Sequence, residues 1–313
     1  MLADFALSHT AVFYPLGYPL RIDTNSRGII AAARESWSDF SPRSDEQPIR
    51  LSLAVSESLS PPRLVQPCFR SRDHLMSIIS DAENYVMCDC NSSFAFGWVT
   101  PATVSSPIVL RPFVESPALV LVQHRYLAAI HGALIQLNGC GVLLCGETCA
   151  GKSTLSYACA RSGWTLVSDD GTFLIRDRDD RYGIGNPYRL RFRQDAKSLF
   201  PELENWPAEL RLNGKLGLEV MTNHLDGITT ADGCVIDHVV FLNRQEPGPR
   251  LVRYDAETAL SWFEQFSCYG SERIRDSQRT AYRRLTRACM WELRYRDLDE
   301  AVARLEKLVH SGA

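Results

Sequence analysis

The residues best suited to chemistry form one short segment. Residues 146–153 read GETCAGKS and match the pattern G-x-x-x-x-G-K-[ST], whose backbone N–H groups wrap a phosphate. In such a phosphate-binding loop (P-loop), Lys152 reaches the terminal phosphates of a nucleotide and Ser153 offers a hydroxyl to magnesium. The predicted nucleotide-binding residues are Gly146, Glu147, Thr148, Cys149, Ala150, Gly151, Lys152, Ser153 and Thr154.

Two carboxylates follow one predicted helix later. Asp169 and Asp170 come directly after the apolar segment Trp164–Ser168, which predicts a buried strand. The ends of neighbouring strands face the phosphates in P-loop folds, so one aspartate would hold magnesium and the other would accept a hydroxyl proton. Two like charges side by side also raise the pKa of one of them. The alternative is structural, because Asp-Asp-Gly at a strand end is common turn chemistry.

The surrounding sequence predicts the elements that position these residues. Strands over His131–Leu137 and Gly141–Cys145 are joined by Asn138-Gly139, the usual two-residue hairpin signal. A helix is predicted over Ser153–Arg161, directly after the loop. The loop therefore has the preceding strand and the following helix that a P-loop requires.

Downstream segments complete a predicted α/β domain. The apolar residues of Glu115–Ile130 recur with the spacing of a helix, and the first strand of this domain follows them. The other predicted elements are a hairpin of Thr172–Arg176 and Tyr182–Gly185, a strand over Cys234–Leu242, a helix over Ala256–Phe266, a strand over Met290–Tyr295 and a helix over Leu298–Val309.

The first hundred residues predict a smaller α+β unit without candidate catalytic groups. We place the domain boundary just before the helix predicted over Glu115–Ile130, which gives domains over residues 1–112 and 113–313. The predicted elements of the first domain are two strands within Ala11–Ile22, a helix from the cap Asn25 or Ser26 to about Phe40, a strand over Pro48–Val55, a loop over Ser56–Pro67 and two strands within Tyr85–Val99.

Composition limits the class of protein. The 313 residues carry 34 Lys and Arg against 37 Asp and Glu, a net charge of −3, which suggests neither a nucleic-acid partner nor a membrane surface. The ten cysteines include no C-x-x-C pair, which favours a reducing cytoplasm. The N-terminal segment lacks the pattern of a secretory signal, and no apolar run reaches the length of a membrane span. We expect a cytoplasmic protein.

The central motifs resemble the catalytic domain of bacterial HPr kinase/phosphorylase. The similarity covers roughly residues 126–175: His131-Gly132, the strand before the loop, GETCAGKS, and the segment from Gly163 to Asp170. The resemblance implies an α/β fold with a P-loop kinase domain of the HPr kinase type, preceded here by the smaller α+β domain. It also implies that ATP and Mg²⁺ are used to phosphorylate a serine hydroxyl.

The resemblance assigns roles to individual residues. It implies that Asp170 is the catalytic base, that Asp169 lies near the metal with Ser153, and that His131 is the active-site histidine. Lys152 completes the predicted catalytic set. Taken without the resemblance, a histidine at the start of a strand is more often a hydrogen-bonded structural residue.

Two departures from the family pattern concern the acceptor. Thr154 stands where the family usually has Glu, and the Arg-Gly-Leu-Gly signature is missing between Gly185 and Val220. In the family that signature belongs to substrate handling and the phosphorylase reaction. Its absence counts against HPr as the acceptor and against reversible dephosphorylation. Rings of subunits, known in the family, make a homo-oligomer possible here.

Several side chains have two competing interpretations. Arg189, Arg191 and Arg193, or Arg250, would stabilise charge on a transferring phosphoryl group, although alternating arginines more often mark the solvent face of an edge strand. Cys145 and Cys149 are interpreted as small-residue packing rather than as oxidisable thiols. Lys215, the remaining candidate, is interpreted as part of an exposed turn rather than of a mobile lid.

The sequence thus favours an enzyme, an ATP-dependent kinase for a serine-type hydroxyl on a protein, peptide or small molecule. The alternative is a nucleotide-binding regulatory protein that uses the P-loop as a switch and has no phosphoryl acceptor. A GTPase or transport ATPase ranks last, because neither Asn-Lys-x-Asp nor Leu-Ser-Gly-Gly-Gln occurs.

Overall fold

The structure, a computed structural model, describes residues 6–58, 60–61, 64–244, 250–266 and 270–311. Cys268, one of the ten cysteines, lies outside these residues. The chain forms two compact units. The first extends through Tyr126 and includes Arg211–Lys215 and the described residues of 268–275, and the second comprises the remainder. No helix within the described ranges combines the length and apolarity needed to cross a bilayer.

The first unit is a mixed sheet with helices packed against it. The described strands have the order β1-β2-β3-β7-β6-β5-β4. Its elements are β1 (His9–Phe13), β2 (Leu20–Thr24), α1 (Arg27–Trp37), β3 (Ile49–Val55), β4 (Cys68–Arg72), β5 (Leu75–Ile79), β6 (Tyr85–Asp89), β7 (Phe94–Val99), α2 (Pro101–Val104) and α3 (Pro107–Tyr126).

Local sequence signals explain most of this unit. The two strands predicted within Ala11–Ile22 correspond to β1 and β2, which pair antiparallel with Val12 opposite Arg21. Ser26 caps α1, because its side chain accepts a hydrogen bond from Gly28 N–H. Sequence analysis did not predict β4 and β5. Every residue of β4 is exposed, so this strand lacks the alternation that marks a half-buried strand.

The helix α3 differs from the prediction at both ends. It spans Pro107–Tyr126 and continues through Pro112 and Pro117, although proline normally interrupts a helix. The predicted helix over Glu115–Ile130 is therefore wrong in its bounds. The proposed domain boundary at residue 112 falls inside α3, whereas the contacts place the whole helix in the first unit.

The second unit contains the strands and helices around the predicted P-loop, some of them predicted from the sequence and others not. They are β8 (Leu127–Leu137), β9 (Cys140–Cys145), α4 (Lys152–Arg161), β10 (Thr165–Ser168), β11 (Gly171–Ile175), β12 (Tyr182–Gly185), β13 (Arg189–Arg193), β14 (Glu209–Leu210), β15 (Leu216–Met221), β16 (Thr229–Thr230), β17 (Gly233–Asn243), β18 (Arg250–Arg253), α5 (Ala256–Glu264), α6 (Glu272–Leu285), β19 (Cys289–Arg294) and α7 (Leu298–Ser311).

The long strand β8 organises the main sheet of this unit. Residues 127–131 pair with β11, and residues 132–137 pair with β9 on one side and, in part, β10 on the other. Both β9 and β10 run antiparallel to β8, so their carboxyl ends lie at the same edge. The parallel neighbours β17 and β19 also end there, since Phe241 pairs with Cys145 and Asn243 with Arg294.

Several predicted turns and strands are confirmed in this unit. Asn138 and Gly139 have φ of 50° and 83°, as a two-residue hairpin turn requires, and β11 and β12 form the predicted antiparallel pair. Helix α6 was not predicted. Ala281, Tyr282 and Leu285 lie on its buried face at helical spacing, but charged residues outnumber the apolar ones in this helix.

Candidate functional site

The predicted P-loop lies between a buried strand and a helix. The strand β9 ends at Cys145, and α4 begins at Lys152. Gly151, which precedes the helix, has φ of 96°, and a Cβ there would lie 2.9 Å from Tyr295 Oη. A residue with a side chain would therefore meet both an unfavourable backbone conformation and a steric conflict. The second glycine of the motif is required by the shape of the loop.

The amino end of α4 is open to an anion. Among the described residues, no side chain caps it, and its first turn contains no acidic residue. The unpaired N–H groups and the helix dipole favour a negatively charged group at this position. Glu147, Thr148 and Cys149 form the exposed rim of the loop. This arrangement fits a phosphate without further change in the backbone.

Lys152 is folded back onto its own loop. Its Nζ donates hydrogen bonds to Gly146 O at 2.8 Å and to Glu147 O at 3.1 Å, and the residue is 6% exposed. Burial lowers the pKa of Lys152, and the nearby charge of Asp170 opposes that change. A phosphate at the loop would offer this ammonium group stronger acceptors than neutral carbonyls.

Strand register brings His131 to Asp170. His131 lies where β8 changes partners, opposite Gly171 at the start of β11, and Asp170 immediately precedes Gly171. His131 Nδ1 lies 3.2 Å from Asp170 Oδ1. The two side chains form an ion pair when His131 is protonated. The Asp170 side chain is 60% exposed and can meet a group arriving from solvent.

Asp169 has the opposite environment, although it is the next residue. It is 3% exposed, and its Oδ2 accepts a hydrogen bond from the Arg191 N–H at 2.9 Å. Burial raises the pKa of Asp169 to about 6; the Arg191 hydrogen bond and the nearby Ser153 hydroxyl oppose this rise, and the charge of Asp170 adds to it. The charge of Asp170 raises the pKa of Asp169, as the sequence predicts, but burial is the larger cause of the rise.

The geometry around Asp169 fits a magnesium ion. Asp169 Oδ1 is buried without a hydrogen-bond partner among the described residues. The Ser153 hydroxyl lies close enough to lower the pKa of this carboxyl. Carboxylate and hydroxyl oxygens are ligands that Mg²⁺ accepts, and it usually takes substrate phosphates as further ligands. The described residues contain no cluster of three or more His, Cys, Asp or Glu that would make an all-protein metal site.

The candidate arginines separate by position. Arg191 and Arg193 are exposed on β13, an end strand of the small sheet β13-β15-β14, as expected for an edge strand. Arg189 is buried instead, with its Nε 3.4 Å from Glu219 Oε1. Arg193 Nη2 lies 2.7 Å from Cys149 Sγ, so this side chain reaches the P-loop.

Two further residues beside the loop were not predicted. Tyr295 Oη donates a hydrogen bond to Ala150 O at 3.4 Å, and burial raises the Tyr295 pKa to about 12. The Arg244 side chain lies against Gly151, just beyond the end of β17. Both positions depend on strands that are distant in sequence, and no local motif marks them. Arg250 lies on the outermost strand of this sheet, opposite Arg294.

The remaining candidates are structural or exposed. Cys145 is fully buried, which confirms its packing role, and burial raises its pKa. Cys149 is exposed, so the packing interpretation is wrong for this residue. Lys215 lies in an exposed turn between β14 and β15, where its N–H donates to Asn213 Oδ1, as predicted.

Comparison with known proteins supports the family resemblance over part of the chain. A segment is 34% identical over 82 residues to HPr kinase/phosphorylase from Halalkalibacterium halodurans, covering 26% of this chain and 24% of that protein. The HPr(Ser) kinase/phosphatase from Coxiella burnetii aligns over 59% of this chain and 99% of the other, with 16% identity and a TM-score of 0.30. No protein-family model matches.

The predicted resemblance is therefore confirmed as an HPr kinase-like domain within the chain. The match spans about a quarter of the length of the curated relative.

Proposed function

We propose that this protein transfers the γ-phosphoryl group of ATP to a serine-type hydroxyl. The observation that carries the proposal is the contrast between two adjacent aspartates beside the P-loop. Asp169 is buried with an unpartnered oxygen, whereas Asp170 is exposed and paired with His131. A phosphotransferase needs both environments, one to hold a metal and one to receive a proton from the acceptor.

Asp170 is the proposed general base. The acceptor hydroxyl gives its proton to the Asp170 carboxylate as its oxygen forms a bond to the γ-phosphorus, and the bond from that phosphorus to the bridging oxygen of ADP breaks. His131 Nδ1 lies 3.2 Å from Asp170 Oδ1, and this contact favours one orientation of the carboxylate. Asp170 Oδ2 is left to accept the proton. His131 is therefore a positioning residue in this proposal.

The P-loop residues bind and orient the phosphates. The open N–H groups of α4 donate hydrogen bonds to phosphate oxygens, and Lys152 exchanges its two loop carbonyls for phosphate oxygens. Ser153 and Asp169 would hold Mg²⁺, which neutralises charge on the phosphates when bound. Arg193 and Arg244 lie beside the loop and can supply further positive charge.

The acceptor is proposed to be a serine-containing protein, peptide or small molecule. The missing Arg-Gly-Leu-Gly signature argues against HPr itself and against a reverse reaction. This substrate class follows from the resemblance and from the exposed base. The roles proposed for the P-loop residues do not depend on the substrate class.

The proposal is tested by following the label from γ-labelled ATP with Mg²⁺, free serine, serine peptides and cell proteins. We expect label on a serine hydroxyl, lost in Lys152→Ala and Asp170→Asn. Asp226→Asn is the matched control, because this exposed carboxylate precedes β16, which pairs with the far end of β10. Label released only as phosphate, or retained on tightly bound ATP, would support the nucleotide switch instead.

A further inference from the structure

The first unit contains a cavity that the proposed kinase site does not use. Its volume is about 450 Å³, and it lies between β1 and α1. The lining consists of residues 8–11 from the strand side and Arg27, Ile30, Ala31 and Arg34 from the helix. These four helix residues are spaced i, i+3, i+4 and i+7, so they share one face of α1. The cavity is therefore walled by a strand and by one continuous face of a helix.

The strand wall is the end of a sheet. Among the described strands, β1 pairs only with β2 and terminates the seven-stranded order. The outer edge of such a strand presents backbone N–H and C=O groups that another extended chain can pair with. Thr10 is turned away from the helix side, because its hydroxyl donates to Asp23 Oδ1 on β2. His9 and Ala11, which alternate with it, are the residues available to the cavity.

The helix wall carries positive charge. Arg27 and Arg34 are exposed, and neither forms an ion pair with a described carboxylate. Seven residues of helix separate them by about 10 Å, which lies between the spacings of about 7 Å and about 13 Å for side chains two and four residues apart on one face of an extended chain. The long arginine side chains can cover this difference. Among the described residues that line the cavity there is no Asp or Glu. The wall thus complements an anionic partner at two points along a strand.

We propose that this cavity binds an extended acidic peptide segment of a partner protein. The segment adds as a strand to the outer edge of β1, and carboxylates at alternating positions meet Arg27 and Arg34. Ile30 and Ala31 provide the apolar floor between the two charges. The proposal concerns the first unit alone and does not depend on the kinase activity.

The probe is a fluorescein-labelled nine-residue peptide of alternating Glu and Thr, titrated with the full-length protein and followed by fluorescence anisotropy. We expect saturable binding, and no binding of the matched Lys-Thr peptide. In the double variant Arg27→Glu, Arg34→Glu the Kd should rise at least about tenfold, because two favourable charge pairs become repulsive. The control is Arg70→Glu, Arg72→Glu, the same charge change on β4 at the opposite edge of this sheet, which should leave the Kd unchanged.

A second peptide pair separates strand addition from attraction by charge alone. N-methylation on every second residue removes the N–H groups on one edge of the bound strand, and the complementary peptide removes those on the other edge. One pattern should abolish binding and the other should preserve it. Equal binding of the two N-methylated peptides would overturn the proposal. Equal effects of Arg27→Glu, Arg34→Glu and of Arg70→Glu, Arg72→Glu on the Kd would also overturn it. A concentration-dependent dimer that excludes the peptide and is lost in Arg27→Glu, Arg34→Glu would also overturn it, by assigning the edge to a second copy.

Discussion

Replacing Asp169 with asparagine should make the protein less sensitive to pH. Asparagine keeps an oxygen that can accept the Arg191 N–H, the hydrogen bond that Asp169 makes at 2.9 Å. It removes the buried charge, whose cost raises the pKa of Asp169 to about 6. The native state therefore holds a proton here at pH values where the unfolded chain has already lost it. Asp169 thus contributes less stability as pH rises from about 4 to 6.

The size of this effect follows from the pKa difference. A carboxyl group whose pKa rises from 3.8 to about 6 loses about 3 kcal/mol of stability across this range, at about 1.36 kcal/mol per pH unit. The free energy of unfolding of Asp169→Asn, relative to the wild type, should therefore increase by about 2.4 kcal/mol between pH 4 and pH 7, because part of the change already lies below pH 4. The change should be complete just above pH 6.

Urea unfolding without nucleotide and with a metal chelator measures this difference directly. The surface variant Asp226→Asn is the control and should stay within about 0.5 kcal/mol of the wild type. If the free energies of unfolding of Asp169→Asn and the wild type differed by the same amount from pH 4 to pH 7, the claim that burial raises the pKa of Asp169 in the metal-free protein would be refuted. An opposite slope would indicate that Asp169 is stabilised as an anion in the free protein.

Three other predictions test the remaining parts of the site. His131→Ala should lower kcat up to about a hundredfold and leave the KM for ATP unchanged, because it loosens Asp170 and does not touch the P-loop; an effect confined to KM would contradict a positioning role. Gly151→Ala should lower the free energy of unfolding by about 1–2 kcal/mol in urea titrations, since φ there is 96°; wild-type stability would show that the loop relaxes. Iodoacetamide should alkylate exposed Cys149, with protection by ATP but none for exposed Cys289, as read by peptide mass spectrometry; equal protection at both thiols would exclude a local effect.

The elements around the predicted P-loop could be predicted because their signals are local. The loop, its preceding strand and its following helix are contiguous, and the Asn138-Gly139 turn fixes the register of β8 against β9. That register leaves Cys145 opposite Gly132, one residue from His131. The assignment of His131 depended on the family resemblance, since a lone histidine on a strand carries no local signal.

The parts that could not be predicted are contacts between distant segments. The hydrogen bond from Arg191 to Asp169 joins β13 to the end of β10, and the alternation of Leu190 and Phe192 indicates only that β13 is half-buried. Tyr295 reaches the loop from β19, 145 residues beyond Ala150. These contacts arise from the order of strands in the sheet, which spacing in the sequence does not encode.

The most direct test of the central claim compares nucleotide binding with phosphoryl transfer in the two aspartate variants. Asp170→Asn should bind ATP with Mg²⁺ at wild-type affinity in calorimetry and transfer no label, because the base is lost and the loop is intact. Asp169→Asn should lose the Mg²⁺ dependence of ATP binding. Full transfer by Asp170→Asn, or unchanged Mg²⁺ dependence in Asp169→Asn, would contradict the division of roles that the two environments define.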